Sequence, residues 1–328
     1  MTINHTRRTV CRAALASLLV PATATRVLAA GWPERPIKWV VPYAAGTGPD
    51  ITARIIAEAV GPMLGTPIIV ENRAGAGGNI GAKLVARAEP DGYTWLYSGA
   101  PMAAGMVLYA HPGYDALRDF RHLGRISSSD TLLVVPADSP LTTLKALLDK
   151  LRASPGALDY ASGGVGTPSH LGVELLLTAA GVKATHVPYK SAGESVNAVI
   201  GKQVDFAMPI LGVAYPQVKG GKLRALAVCG AHRSPVLPTV PTLAETGMPG
   251  VDLSSWGGIS VPAGTPDPIA ARIADAVQRA IAQPPVVQAL ERNGGRADPS
   301  NAATYQLAFQ QEMTRTRDIM RKTGIKPM

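Results

Sequence analysis

An α/β chain folded as two lobes is what this sequence predicts. Short apolar runs of β-branched and aromatic residues alternate with amphipathic helical patterns along the chain. One device occurs twice, far apart: an apolar strand runs into a Gly/Ser/Thr-rich loop, and a helix starts immediately behind it. The length is generous for apolar burial, and at this size the core usually divides between two lobes.

The elements follow in order. Ile37–Val41, Ile68–Val70, Trp95–Ser98, Leu132–Val135, Leu158–Ala161, His186–Pro188, Phe206–Met208 and Leu223–Val228 read as strands, short and bounded by Gly or Pro. Ile51–Leu64, Gly78–Ala88, Thr143–Ala153, His170–Ala180, Ser195–Ile200, Pro268–Ala282 and Ala303–Thr323 read as helices. In Pro268–Ala282, Ile269, Ile273, Val277 and Ile281 recur every four positions and give one buried stripe. Strand and helix alternating in this way predict parallel sheets covered on both faces.

Residues 1–30 read as an export signal. Arg7, Arg8 and Arg12 form a basic start, Ala13–Thr25 carries no charge, and Val27-Leu28-Ala29-Ala30 offers a small-residue cleavage site. The apolar run is shorter than the roughly 20 residues of a spanning helix, and Pro21 and Arg26 interrupt it. Thr6-Arg7-Arg8 matches the front of a twin-arginine signal, whereas Val10 and Cys11 do not fit its later positions, so either export route is open. The expected location is the periplasm. Removing four arginines with this segment lowers the basic count from 32 to 28 against 23 acidic residues, a net charge of +5 in place of +9. The basic residues are scattered, which excludes a nucleic-acid footprint. Cys11 leaves with the signal, and Cys229 alone makes no disulfide framework.

The repeated device carries the functional reading. Ile37–Asp50 (IKWVVPYAAGTGPD) leads into Ile51–Leu64, and Leu158–Ser169 (LDYASGGVGTPS) leads into His170–Ala180. Glycine lets backbone approach a ligand, and the first N–H groups of a helix point outward, so each loop is a candidate anion site. Ligands of α/β sheets bind beyond the carboxyl ends of the strands, where both loops fall. Gly75-Ala76-Gly77-Gly78-Asn79-Ile80-Gly81 fails as a dinucleotide fingerprint because Ile80 stands where the third Gly belongs, and no Walker lysine-serine pair follows any loop. The block reads as a tight strand-to-helix crossing, with a partner-facing surface as the alternative. Ser162 lacks the G-x-S-x-G frame of a nucleophile elbow. The six His are dispersed and no H-E-x-x-H occurs, so neither a metal nor another cofactor is expected.

These blocks resemble the Bug-type extracytoplasmic solute receptors of tripartite tricarboxylate transporters, a subgroup of type II periplasmic binding proteins. The resemblance spans the chain beyond residue 30. It rests on Trp32–Ile37, Pro42–Gly46, Val70–Gly81, Pro90–Thr94, His186–Lys190, Gly221–Val228, Val240–Glu245 and Pro262–Pro266. It implies a type II periplasmic-binding-protein fold: two α/β lobes joined by a two-strand hinge, lobe one being 31–131 plus 256–328 and lobe two 132–255. It also implies that a carboxylate is held by backbone amides and hydroxyls of one loop from each lobe.

Those loops match Tyr43–Asp50 and Ser162–His170 here. Tyr43, Ala45, Gly46, Thr47 and Gly48 are the first set, with Asp50 either touching ligand or capping the following helix. Ser162, Gly163, Gly164, Thr167, Ser169 and His170 are the second, with Thr167 as N-cap and Pro168 as first helical residue. The loop Ser98–Met102 is expected at the far end of the ligand, and Tyr189 and Trp256 as cleft or core aromatics. Two departures bear on specificity. Gly46-Thr47-Gly48-Pro49-Asp50 stands where many relatives have G-G-P-T-D, so a hydroxyl has moved and Pro49 removes an N–H. Pro209-Ile210 stands where many relatives have a polar Asp-Asn pair, which favours an acid with an apolar body. The resulting expectation is a monomeric receptor, not an enzyme, that closes over a small organic acid and delivers it to the membrane subunits of a transporter. The alternatives are a sensory receptor reporting to a signalling protein, and a hydrolase using Ser162 or Ser169 with His170.

Overall fold

The computed structural model describes residues 31–251 and 253–327; the export segment 1–30 lies outside them. Two sheets organise the chain. The first holds β1 (Ile37–Val41), β2 (Ile68–Asn72), β3 (Thr94–Gly99), β4 (Phe120–Ser129), β10 (Ser255–Pro262) and β11 (Arg296–Ala297), in the order β11-β4-β10-β3-β1-β2. The second holds β5 (Thr131–Pro136), β6 (Asp159–Ser162), β7 (Thr185–Pro188), β8 (Phe206–Ala207) and β9 (Leu223–Cys229), in the order β7-β6-β8-β5-β9. With β11 set aside, the two orders are one plan used twice.

The expectation of parallel sheets is corrected in one respect: reversed strands occur in both, β10 and the short β11 in the first and β5 in the second. β10 runs antiparallel to both β3 and β4, and β5 runs antiparallel to both β8 and β9. The reason is the crossing itself. β4 leaves the first sheet at the carboxyl ends of its parallel strands, and through Asp130 the chain enters the second sheet as β5 at the equivalent ends. A strand entering from that side must run backwards. β10 repeats this on the return. Both sheets therefore turn their carboxyl ends towards the same interface.

Ten helices of the described residues cover the sheets: α1 (Gly48–Leu64), α2 (Asn79–Ala86), α3 (Ala100–Leu108), α4 (Leu144–Ala153), α5 (Pro168–Ala180), α6 (Ala192–Ile200), α7 (Leu211–Lys219), α8 (Asp267–Ile281), α9 (Pro284–Arg292) and α10 (Ala302–Thr323). The stripe of α8 is buried as its spacing predicts: Ile269, Ile273, Val277 and Ile281 are at most 4% exposed, packed beside Trp39, Trp95 and the apolar face of α1. α1 stops at Gly65 in a left-handed conformation (φ 74°), which satisfies its last carbonyls.

The second sheet has its own core around Leu133, Tyr160, Leu176 and Phe206. α10 belongs to both units. Tyr305 and Phe309 pack under the first sheet with Val40 and Leu96, while Ile319 and Met320 pack in the core of the second. The sequence reads as a helix there, but its local pattern does not say that it spans both units.

Candidate functional site

The two glycine-rich loops fold into the same turn. In the first, Thr47 precedes α1 and donates its hydroxyl to Ala44 O (2.7 Å), while the Gly46 N–H donates to Asp50 Oδ2 (2.9 Å). In the second, Thr167 precedes α5 and donates its hydroxyl to Gly164 O (2.7 Å), while the Gly166 N–H donates to His170 Nδ1 (3.1 Å). Gly46 (φ 77°) and Gly166 (φ 80°) both occupy the left-handed region that an L side chain resists. In each loop a side chain four residues beyond the glycine reaches back to its amide and locks the turn against the helix start.

These locks correct two readings. Asp50 does not act as N-cap: the helix begins at Gly48, and the buried Asp50 carboxylate takes Gly46 N–H, Arg54 Nε (3.1 Å) and Asn72 Nδ2 (2.9 Å). Burial opposes its charge, but the bonds from Arg54, Gly46 and Asn72 win and hold the carboxyl below its usual range. The Gly46 amide, expected to meet a ligand, is spent on that carboxylate. The Thr47 hydroxyl is likewise committed to Ala44, and Ala45 is exposed at the tip of the turn. What the first loop leaves without acceptors within the chain are the first-turn amides of Gly48 and Asp50.

The second loop is more fully satisfied. Ser162, fully buried, sits 2.7 Å from His186 Nε2 and donates towards Gly164 O, and its oxygen accepts the Gly164 N–H (3.1 Å). The Gly163 N–H donates to Ser169 Oγ (3.0 Å), which also meets Thr167 Oγ1 (2.9 Å). Thr167 and Pro168 open α5 as expected, though Thr167 makes no side-chain cap bond. Tyr189 is half-buried, with its N–H on Ser162 O (2.9 Å) and its hydroxyl 3.4 Å from Gln203 Oε1.

The serine meets His186, a residue the sequence reading placed only in a strand. His170 stacks on His186 with ring centroids 4.1 Å apart, and Tyr160 stacks on His186 at 4.8 Å. Burial lowers the pKa of His170 to about 3, with the His186 ring adding to it, and burial alone lowers His186 to about 4. Both rings are neutral at physiological pH and brace the loop. A third buried histidine, His122, lies at about 4 because burial outweighs its bond to Ala116 O.

Ser98 is not at the interface. It is fully buried, its hydroxyl 2.6 Å from Ser260 Oγ and 3.0 Å from Tyr305 Oη, and Ser260 reaches His122 Nδ1 (2.7 Å). This chain of bonds pins α10 to the first sheet. Trp256 does both jobs foreseen for it: it packs edge-on against Tyr305 and Phe309 at 5.5 and 5.2 Å, and it lines a cavity between the sheets.

That cavity is narrow, with a volume of about 50 Å³. Tyr43, Gly48, Pro49 and Thr52 line it from the start of α1, Ser127–Ser129 and Ser255–Gly257 from the two crossing strands, and Ile210 and Gly212 from the second sheet's side. Of the residues singled out in the two loops it takes Tyr43 and Gly48; the Ser162–His170 loop does not line it. Ile210, at the carboxyl end of β8 beside β6, ties the sides together, since a Cβ on Gly48 would stand 2.9 Å from Ile210 Cδ1. The Tyr43 hydroxyl is buried without a partner, and burial raises its pKa well above the usual phenol value, so it stays protonated as a donor. Sequence reading missed the crossing-strand wall because Ser127-Ser128-Ser129 and Trp256-Gly257 read as loop; the one available signal was a serine run bounded by Ile126 and Asp130. Among the described residues no group of three His, Cys, Asp or Glu side chains is placed to hold a metal ion.

Two sheets of one plan, carboxyl ends facing a cavity floored by two crossing strands, define a two-lobed solute-binding protein. The family model described as "Tripartite tricarboxylate transporter family receptor" matches residues 52–325, and the chain belongs to that family. It is similar to the periplasmic binding protein BugD (33% identity, TM-score 0.85, covering 90% of this chain and 100% of that one). It is also similar to R. palustris Rpa4515 with adipate (31%, TM-score 0.87, covering 90% and 100%) and to MatC from Rhodopseudomonas palustris with bound malate (31%, TM-score 0.82, covering 88% and 99%). The family is one of transporter receptors and BugD is a periplasmic binding protein, so the hydrolase alternative is dropped.

Proposed function

We propose that this protein is an extracytoplasmic receptor that closes over a small organic carboxylate between lobe one (31–131 plus 256–328) and lobe two (132–255) and presents it to the membrane subunits of a transporter. The observation that carries the reading is the cavity bounded by both sheets and both crossing strands, with Gly48, Pro49 and Thr52 of the first turn of α1 on its wall. Unbonded amides at a helix start are donors suited to a carboxylate. Residues bridging from both sides make closure follow from ligand binding, because one ligand gains contacts to both lobes only in the closed form. The family and the carboxylate-bound relatives support this reading.

The test is isothermal titration of refolded, dialysed protein with a panel of organic acids and their amides. Binding of acids but not of the matching amides is expected. A panel in which no acid binds would refute the proposal. Transport is tested by deleting the gene and measuring uptake of the acid that binds; unchanged uptake refutes delivery.

A further inference from the structure

The cavity wall contains no Lys, Arg, His, Asp or Glu. A carboxylate entering it meets no counter-ion and must be held by hydrogen-bond donors alone, or pay the full loss of hydration. Part of the crossing-strand side is already engaged. Ser129 donates to Gly294 O (2.9 Å) and Asn293 Nδ2 donates to Ala289 O (2.8 Å), whereas Ser128 Oγ only accepts, from Arg296 Nη2 (3.4 Å), and keeps its O–H. Arg296 itself is paired with Asp130 at 2.6 Å. What remains is the hydroxyls of Ser128 and Ser255 and the Gly48 amide at the start of α1, next to which Pro49 has no N–H. That inventory suits the two oxygens of one carboxylate. The rest of the wall is apolar: Pro49, Pro101, Ile210, Trp256 and Leu290.

We infer that the ligand carries a single carboxylate on an uncharged, apolar body, with Ile210 as the residue that discriminates against a second charge. The inference rests on the carboxylate-receptor reading above and narrows its ligand class. Ile210 is the apolar side chain that reaches from the second sheet to Gly48, so a second carboxylate directed across the cavity meets a methyl group where a polar residue would supply a donor.

Matched pairs differing only in the second carboxylate test it by calorimetry: hexanoate against adipate, and benzoate against benzene-1,4-dicarboxylate. At least one monoacid is expected to bind tenfold or more tightly than its diacid, and Ile210→Asn is expected to narrow that ratio at least fivefold. The wild-type comparison stands whether or not the variant folds. Diacids binding as tightly as monoacids, or more tightly, would overturn the inference and leave the receptor reading intact. Failure of all four acids and of a broader acid panel would overturn both.

Discussion

Acidification should strip this protein of much of its stability before its carboxylates titrate, because three histidines are buried neutral. His122 and His186 titrate at about 4 and His170 at about 3 in the folded chain, against 6.5 when unfolded. The folded pKa lies below the unfolded one, so the unfolded state binds more protons between the two values. Stability is then fully present above pH ~6.5 and is lost as pH falls towards ~4. At pH 5 each histidine favours the unfolded chain by about 2 kcal/mol, or about 6 kcal/mol for the three, with His186 counting for less because it is only half-buried. Stacking of His170 on His186 strengthens the effect, since charging one ring opposes charging the other. Glu312 works in the opposite direction: burial raises its pKa, outweighing Arg315 and Trp256, so its protonation on acidification relieves a cost. Against a typical total of about 5–15 kcal/mol, the net loss brings the protein close to unfolding. Urea denaturation followed by tryptophan fluorescence at pH 7.5 and 5.0 measures it. Extrapolated stabilities within about 1 kcal/mol of each other would refute the assignment of neutral, buried rings. His170→Asn, whose side-chain oxygen can accept the Gly166 N–H, should remove about a third of the pH dependence.

Three substitutions separate binding from folding. Gly48→Val places methyl groups against the movable end of Ile210 with no backbone strain, so melting should shift by only a few degrees while acid binding falls more than tenfold by calorimetry; unchanged affinity would remove Gly48 from the site. Gly163→Ala brings a Cβ within 2.8 Å of Ala192 N, so it should lower stability by about 1–3 kcal/mol in urea titration through displacement of α6; a neutral effect would contradict that packing. Asp50→Ala leaves the Gly46 N–H unpaired and takes from Asn72 Nδ2 one of its two acceptors, Tyr43 O being the other, and should cost about 1–3 kcal/mol in the same assay, whereas no measurable loss would show that the loop does not depend on this lock.

Much of this architecture was legible in the sequence, and the failures have physical causes. The strands before both loops, the stripe of α8 and the start of α5 followed from local pattern, because each needs only its own residues to state which face is buried. The crossing strands did not. β4 reads Phe-Arg-His-Leu-Gly-Arg-Ile-Ser-Ser-Ser and β10 contains Gly257-Gly258, compositions that signal loop. They are strands because neighbours from distant sequence close over them: a Cβ on Gly257 would strike the Tyr97 ring, and one on Gly258 the backbone of Gly124. The site divided in the same way. The twin turns were visible as Gly, Thr and Pro at matching places, but the bonds of Asp50 and His170 that consume the loop amides were not. Ser98 was misplaced because position at the end of a strand does not say which side of the sheet a side chain takes.

The span of α10 has a mechanical consequence. Two strands joining two bodies leave both bending and twisting open. A helix of 22 residues, about 33 Å long, fastened to one body by Tyr305 and Phe309 and to the other by Ile319 and Met320, adds a stiff third tether. A third attachment restrains sliding and twisting of one body against the other, so the softest motion left is the bend that opens and shuts the cavity. Any partner that gauges occupancy from outside then has a single angle to measure.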